Sequence, residues 1–251
     1  MSTAQQSDLA ENLFLDTLPS ASAARLLPKL ERITIGVGTA VAAPGMAIEY
    51  VVFPIRGVIS TVTSMRDGAS IEVMLIGREG FFGLPVLFGD DTSANEAMIQ
   101  IAGPVLRIRS ADFLACIDND RTLNARLLRY AQTTFTAILQ FAGCNRLHSV
   151  NERCARWLLM AHDRVTGDEL LLTHEYLATM LGVRRPGVSL AAAALEEAGL
   201  IEYHRGRILV RDRRGLEAAA CECYAVVNHE SYRLLGYDVS KAALDRNESA
   251  S

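Results

Sequence analysis

Residues 173–198, THEYLATMLGVRRPGVSLAAAALEEA, predict two short helices separated by a turn at Leu181-Gly182-Val183. Thr173 is a favourable N-cap for the first helix, and the glycine suits a left-handed residue in the turn. Pro186 falls in the first turn of the second helix, where its missing N–H costs nothing. Gly199 follows that helix as a C-terminal stop. The pattern is typical of a helix-turn-helix.

Each predicted helix has one apolar face, formed in the first by Leu177, Ala178 and Leu181 and in the second by Val188, Ala191, Ala192 and Leu195. Paired arginines, Arg184 and Arg185, open the second helix and can lie on its other face with Ser189. A helix-turn-helix places this end in the DNA major groove, where an arginine can bond guanine O6 and N7. The arginines therefore indicate DNA binding.

Residues 200–211, LIEYHRGRILVR, predict two short strands that turn near Gly206. A basic hairpin after a helix-turn-helix makes a winged helix, whose wing contacts phosphates. The candidate DNA-contacting residues are Thr173, His174, Arg184, Arg185, Ser189, His204, Arg205 and Arg207. The alternative is an ordinary pair of packed helices, which the arginines and the hairpin disfavour.

The net charge of −4 is unevenly distributed along the chain. Residues 1–117 hold 8 Lys+Arg against 12 Asp+Glu, a net of −4, whereas residues 173–214 hold 7 against 5, a net of +2. Residues 215–251 hold 3 against 6, a net of −3, and are not expected to contact DNA. The small local surplus implies salt-sensitive binding that depends on individually placed arginines.

Five cysteines without regular spacing argue against a disulfide framework and agree with a reducing compartment. Cys221 and Cys223 form a Cys-x-Cys with no second pair beside it, which is a weak metal signal. We therefore expect buried structural thiols and predict no metal and no cofactor. Cys116, Cys144 and Cys154 lie among apolar residues and are expected to pack in a core or an interface.

A chain of 251 residues, half of them hydrophobic, is more often two domains than one. Residues 1–8 lack the pattern of a signal peptide, and nowhere do about 18 apolar residues run together. We expect a cytoplasmic protein with no membrane partner.

Between about residues 30 and 110, short β-like runs alternate with glycine-containing turns. These runs are Ile33–Ile35, Tyr50–Phe53, Gly57–Thr63, Ser70–Ile76, Ala97–Ile101 and Val105–Ile108. Evenly spaced short strands predict a double-sheet jelly roll or barrel. A helix from Leu9 to Leu30, broken at Pro19, is expected before it.

From Asp118 onward the apolar period becomes helical, with apolar residues alternating by four and three. They are Leu123, Leu127, Tyr130, Thr134, Ala137, Phe141 and Cys144. Such a stripe can pack within its own chain or pair two subunits, and its length and low charge favour a dimer seam. A second helix, from about Val150 to Val165, leads to the helix-turn-helix.

This order of parts resembles the Crp/Fnr family of bacterial transcription regulators over about residues 9–227. The motifs that carry the resemblance are FPIRG at 53–57, GREG at 77–80 with Gly83, LLTHEYLA at 171–178, LGVRR at 181–185, and EAGLI at 197–201 with Arg205-Gly206. The resemblance implies an α+β fold with three parts and a tail. They are a double-stranded β-helix (jelly-roll) sensor at 1–117, a dimerisation helix at 118–145, a winged helix-turn-helix at 146–227 and a C-terminal tail at 228–251.

The resemblance also implies a homodimer on palindromic double-stranded DNA, with a hinge near residues 143–145 and RNA polymerase as a further candidate partner. Arg185 falls at the family's first base-reading arginine. Pro186 stands where many members have a glutamate, and Leu190 where some have a second arginine. The family's usual half-site therefore does not carry over.

The sensor departs from the pattern of cyclic-nucleotide-binding members. Leu84 stands at the position of the glutamate for the ribose, and residues 92–97 contain no arginine for the phosphate. No cysteine precedes Cys116, as iron–sulfur members require, and all five histidines lie beyond the β-roll, unlike haem members. Arg78, Glu79 and Gly83 are weak ligand-binding candidates, and an exposed ion pair in that turn is the alternative.

Enzyme motifs such as Gly-x-Ser-x-Gly, His-Glu-x-x-His or a phosphate-cradling glycine-rich lysine loop do not occur, so we predict that the protein is not an enzyme. The favoured function is a DNA-binding transcription regulator that is independent of cyclic AMP. The alternatives are a regulator that needs an unidentified small molecule to bind DNA and, less favoured, a small enzyme.

Overall fold

A computed structural model describes residues 2–118 and 120–240 of the chain. Within these residues the chain forms two compact units. The first comprises residues 2–61, 74–118, 120–134 and 233–237, and the second comprises residues 62–73, 135–232 and 238–240.

Two four-stranded sheets form the β-roll, with the strand orders β1-β2-β8-β4 and β3-β7-β5-β6. Their strands are β1 (Ser2–Thr3), β2 (Glu31–Ile35), β3 (Ala40–Ala42), β4 (Tyr50–Pro54), β5 (Val58–Ser64), β6 (Ser70–Ile76), β7 (Glu96–Ile101) and β8 (Gly103–Arg109). The six predicted strands are confirmed, each within two residues of its expected bounds. β1 and β3 are too short to show a period of two, and the prediction missed them.

Short helices surround the β-roll. They are α1 (Gln6–Ala10), α2 (Leu13–Asp16), α3 (Ser20–Leu26), α4 (Leu84–Leu87) and α5 (Ser110–Ile117). The helix predicted from Leu9 to Leu30 is broken near Pro19, as expected, because α2 ends at Asp16 and α3 begins at Ser20, but it is also interrupted at Asn12. Its side chain accepts from Leu15 N at 3.1 Å and donates to the carbonyls of Pro54 at 2.8 Å and Gly80 at 3.0 Å.

Helix α6 (Arg121–Leu147) begins where Asp120 Oδ1 accepts from the amides of Thr122 at 3.1 Å and Leu123 at 2.9 Å. The helix runs without a break through residues 143–145, where the hinge is expected. The break lies at His148-Ser149, where Ser149 and Glu152 form a capping box that starts α7 (Val150–His162).

The stripe predicted as a dimer seam is instead buried inside the chain. Its members Leu123, Leu127, Tyr130, Ala137 and Phe141 are buried without any second subunit, and Thr134 is half-buried. Tyr130 shows why: its ring stacks on Phe81 with centroids 4.5 Å apart, and its hydroxyl donates to Phe81 O at 3.1 Å. Gly80 makes room for that ring, since a Cβ there would lie 2.1 Å from the hydroxyl. The seam prediction is therefore corrected.

Beyond α7 lie β9 (Glu169–Leu171), α8 (His174–Leu181), α9 (Arg185–Glu197), β10 (Ile201–His204), β11 (Arg207–Val210), α10 (Arg213–Ala219) and α11 (Cys223–Leu235). The three strands form a sheet in the order β10-β11-β9, so β9 adds an unpredicted strand to the predicted hairpin. The predicted tail at 228–251 starts inside α11, and its residues 241–251 lie outside the described residues.

A buried polar network fastens α10 and α11 to the end of α7. Arg213 Nη2 donates to Asp163 Oδ1 and to the Tyr224 hydroxyl, both at 2.6 Å, and that hydroxyl donates to Asp163 Oδ2 at 2.9 Å. Arg213 Nη1 donates to His162 Nδ1 at 2.8 Å, which leaves the ring proton on Nε2, 2.9 Å from Asp168 Oδ1. Burial raises the pKa of Asp163, and the guanidinium opposes that shift. Removing either charge would break the buried ion pair between Arg213 and Asp163, which destabilises the folded state.

In the part of the chain that the structure describes, none of the helices combines the length and the apolar character needed to cross a lipid bilayer.

Candidate DNA-binding surface

The turn between α8 and α9 has the predicted geometry. Thr173 Oγ1 accepts from Tyr176 N at 3.1 Å, which confirms the N-cap of α8. Gly182 has a φ of +62° and closes α8 in the left-handed conformation. Its Cα also faces Ile71, since a Cβ would lie 2.7 Å from Ile71 Cδ1. The left-handed conformation therefore favours glycine here, and any larger residue would also have to displace the Ile71 side chain.

Helix α9 divides into a buried face and an exposed face, as predicted. Val188, Ala191, Ala192 and Leu195 are buried, and α9 packs against α7. Arg184, Arg185 and Pro186 are exposed at its beginning. Arg184 is the N-cap residue, and its side chain makes no cap hydrogen bond. Pro186 has no amide hydrogen, and Gly187 N donates to Arg184 O at 2.9 Å, so the exposed guanidinium groups are the main donors at this end of α9.

Arg185 is held only loosely. Its Nε lies 3.7 Å from Glu175 Oε2, and the two side chains are 66% and 76% exposed. An exposed ion pair of this kind contributes about 0–1 kcal/mol, so the guanidinium can exchange it for another partner at low cost.

His174 and Ser189, both predicted to contact DNA, contact each other in the protein without DNA. His174 Nδ1 lies 3.2 Å from Ser189 Oγ, and the imidazole stacks on the Tyr203 ring with centroids 4.0 Å apart. Burial, helped by the charge of Arg185, lowers the pKa of His174, so the ring is neutral at pH 7. The stack joins the beginning of α8, the middle of α9 and strand β10.

The wing carries its basic residues on a tight turn. Arg205 and Gly206 have φ values of +44° and +82°, the positive values that a two-residue type I′ hairpin requires. His204 and Arg205 are exposed, and Arg207 Nη1 pairs with Glu169 Oε1 at 2.6 Å on the surface. The wing therefore presents cations that are only weakly paired.

Leu190 is a residue that the sequence analysis did not count among the candidates. Its side chain is 73% exposed. The helical period places it off the buried face, and an apolar side chain at that position is the signal that could have marked it. Ala193 and Ala194 are exposed beyond it, and such small side chains permit a close approach to α9.

The weak ligand candidates in the β-roll have structural contacts of their own. Glu79 Oε1 accepts from Gly77 N at 2.9 Å within its own turn. Gly83 has a φ of +125°, and a Cβ there would lie 2.9 Å from Val51 Cγ2, so close packing accounts for this glycine. Arg78 and Glu79 are half-buried, which differs from the exposed ion pair weighed as the alternative. Burial lowers the pKa of Arg78.

Residues 152–219, which contain α8, α9 and the wing, match the family model of the Crp-like helix-turn-helix domain. No curated protein matches the chain. The domain match supports the DNA-binding expectation for this part of the molecule.

Solved structures share the fold of most of the chain. A putative transcriptional regulator of the Crp/Fnr family from Eubacterium rectale ATCC 33656 is 18% identical, with a TM-score of 0.63 over 81% of this chain and 95% of that one. A CRP-family transcriptional regulator from Thermus thermophilus is 20% identical, with a TM-score of 0.62 over 76% and 96%. A putative cAMP-binding regulatory protein from Silicibacter pomeroyi DSS-3 is 19% identical, with a TM-score of 0.60 over 86% and 98%. These likenesses confirm the predicted α+β fold of β-roll, long helix and helix-turn-helix.

The stacked His174 predicts a pH dependence of stability. Since the folded state lowers the pKa of this histidine below 6.5, the unfolded chain binds more protons in that range. The contribution of His174 to the free energy of unfolding is complete above pH 6.5 and is lost as the pH falls through the lowered pKa.

His174→Phe keeps an aromatic ring on Tyr203 and should remove this part of the pH dependence, measured by urea denaturation at several pH values. His204→Phe controls for the loss of an exposed histidine. An unchanged pH dependence in His174→Phe would contradict this assignment.

Proposed function

Because the chain carries a Crp-like helix-turn-helix domain within the Crp/Fnr fold, we propose that it is a cytoplasmic transcription regulator that binds palindromic DNA as a homodimer, without cyclic AMP. The observation that carries the proposal is the exposed start of α9, where Arg184 and Arg185 stand side by side. RNA polymerase is a further candidate partner. The domain match favours this function over an enzyme.

The exposed residues divide by chemistry into base-reading and phosphate-binding groups. Arg185 reads a guanine through O6 and N7, and Leu190 contacts a thymine methyl group in the major groove. Arg184, Arg205 and Arg207 contact phosphates on either side. His174 and Ser189 act by holding α8, α9 and β10 together.

The dimer contact uses the outward face of α6. Leu128, Phe135, Ile138 and Leu139 are 51%, 58%, 41% and 56% exposed, and Ala142 continues the stripe. Leu128, Phe135 and Ala142 are seven residues apart, and Ile138 lies between the last two at a spacing of three and four, the pattern of a helical seam. Exposed aromatic and aliphatic side chains in one row are costly in water and fit a second copy of the same helix.

Independence from cyclic AMP rests on both sequence and packing. Leu84 begins α4 at the position where the family places the ribose-binding glutamate. Asp90 accepts hydrogen bonds from Thr92 N at 2.9 Å and Thr92 Oγ1 at 2.8 Å, so an acidic turn stands next to the segment expected to bind phosphate. Apolar side chains, including Val52, Ile59 and Ile99, fill the space between the sheets. An anionic nucleotide would find no charge-assisted partner there.

Arg185→Ala tests base reading. It should weaken binding to an operator selected from random DNA by about 1–3 kcal/mol and relax the preference at one base position. Arg66→Ala removes one positive charge from an exposed turn outside the proposed surface. It should leave the affinity for the operator and the base preference unchanged. Fluorescence anisotropy at two salt concentrations measures the change. Equal affinity and equal base preference in Arg185→Ala would contradict the assigned role.

Phe135→Asp tests the dimer face. A carboxylate in the proposed seam should shift the protein from dimer to monomer in analytical ultracentrifugation, because each dimer would desolvate two charges. Arg129→Asp changes an exposed residue on another side of α6 and should remain dimeric. A dimeric Phe135→Asp variant, or a monomeric wild type, would exclude this seam.

Cyclic AMP should neither bind the wild-type protein nor alter its affinity for the operator. Isothermal titration calorimetry with cyclic AMP is expected to give no heat beyond dilution, since the β-roll lacks the family's glutamate and arginine at the matching positions. Micromolar binding would overturn the prediction. DNA binding that requires another small molecule would instead support the ligand-dependent alternative.

A further inference from the structure

Three thiols and an imidazole meet in the second unit. The Sγ atoms of Cys144, Cys221 and Cys223 and a ring nitrogen of His148 all lie within 4.8 Å of one another. The Cys144 and Cys221 sulfurs are 3.5 Å apart, and Cys223 Sγ is 3.6 Å from His148 Nδ1. The three cysteines are buried and the histidine is half-buried. The proposed DNA contacts do not involve any of them.

Two short segments supply these four groups. Cys144 and His148 are four residues apart, and His148 N donates to Cys144 O at 3.1 Å, so one helical turn places both side chains on the same side. Cys221 follows α10 and Cys223 begins α11, with Tyr224 N donating to Cys221 O in the turn between them. The long sequence separation explains why the Cys-x-Cys alone was a weak metal signal.

The size of the cluster fits one tetrahedral ion. With Zn–S bonds of about 2.3 Å, the edges of a tetrahedral site are about 3.8 Å long. The distances of 3.5 and 3.6 Å lie close to that value, and the limit of 4.8 Å leaves little room for several metal atoms. Sulfur and imidazole ligands in this geometry suit Zn²⁺ better than hard cations such as Mg²⁺ or Ca²⁺.

Neighbouring side chains support the same chemistry. His148 Nε2 lies 3.2 Å from Glu222 Oε2, so the carboxylate can orient the ring and leave Nδ1 towards the thiols. Histidine ligands of zinc usually donate their other N–H in this way. Gln140 Nε2 donates to Cys223 Sγ at 3.1 Å, as expected beside a sulfur that carries negative charge.

The charges around the cluster also match a metal–thiolate site. Arg153 and Arg156 are 6% and 5% exposed, and in the described part of the chain neither guanidinium pairs with a carboxylate. Three thiolates, a neutral imidazole and Zn²⁺ carry a net charge of −1, which these cations can compensate.

We propose that Cys144, His148, Cys221 and Cys223 bind one Zn²⁺ per chain, which ties the end of α6 to the beginning of α11. This departs from the sequence-based expectation of structural thiols without metal. The ion would stabilise the folded form of the second unit, because an unfolded chain cannot hold four ligands together. The proposal does not depend on DNA binding.

Metal analysis of the full-length wild-type protein tests the site directly. After expression with added zinc and extensive dialysis, we expect one zinc per chain by mass spectrometry. Reloading the chelator-stripped protein with Co²⁺ should give the visible absorption of a tetrahedral cobalt–thiolate site. X-ray absorption at the zinc edge should show three sulfurs and one nitrogen. These measurements need no variant that could fail to fold.

Variants assign the ligands. Cys144→Ser and Cys223→Ser should lose the zinc, whereas Cys116→Ser changes a buried thiol in the other unit and should retain it. Glu222→Gln should keep the ion but bind it about 10–100-fold more weakly in competition with a chelator, because the carboxylate only orients His148. Circular dichroism shows whether each variant is folded.

Several results would overturn the proposal. One is a zinc content below about a tenth of an equivalent per chain after loading. A second is zinc that remains bound to the folded Cys144→Ser/Cys223→Ser double variant. A third is iron with inorganic sulfide in the protein in place of zinc. A Cys144–Cys221 disulfide in protein purified with zinc under air would also overturn it, since a sulfur in a disulfide cannot serve as a thiolate ligand.

Discussion

The candidate DNA-binding surface depends on the packing of α9 against α7. Val188, Ala191, Ala192 and Leu195 bury one face of α9, and the three smaller of these side chains allow the two helices to approach closely. The arginines at the start of α9 precede this packed stretch and are exposed at the end of the helix. The network around Arg213 holds α7 in turn, and the stack of His174 on Tyr203 connects α9 with the wing. The position of the two arginines therefore depends on the packing of α9 against α7 and on the side-chain contacts that hold these helices and the wing together.

Helix α6 has apolar residues on two faces, and only packing distinguishes them. The stripe through Leu127 and Tyr130 is regular but belongs to the interior of the chain. The stripe through Leu128 and Phe135 is equally apolar and remains exposed. A spacing of three and four residues predicts a buried face for each stripe. The spacing does not say whether the same chain or a second subunit covers that face. Only the stripe through Leu127 and Tyr130 was considered as a dimer seam, and the tertiary contacts of Tyr130 show that it packs within the chain.

Features that depend on neighbouring residues were predicted well from the sequence. The N-cap at Thr173, the left-handed Gly182 and the turn at Arg205-Gly206 each follow from local backbone chemistry. Features that depend on distant residues were not. Asn12 interrupts a helix by bonding to carbonyls far along the chain, and His174 turns towards Ser189 and Tyr203. The thiol cluster was missed for the same reason, although the spacing of Cys144 and His148 is a signal that could have been noticed.

Selection of bound sequences from random double-stranded DNA, with purified protein and no added ligand, tests the central claim most directly. A homodimer that presents two copies of α9 should enrich a palindrome whose half-site centres lie about one helical turn, or about 34 Å, apart. Each half-site should contain a guanine contacted by Arg185. Failure to enrich any sequence, or enrichment of a single site without symmetry, would contradict the account of a symmetric, ligand-independent DNA reader.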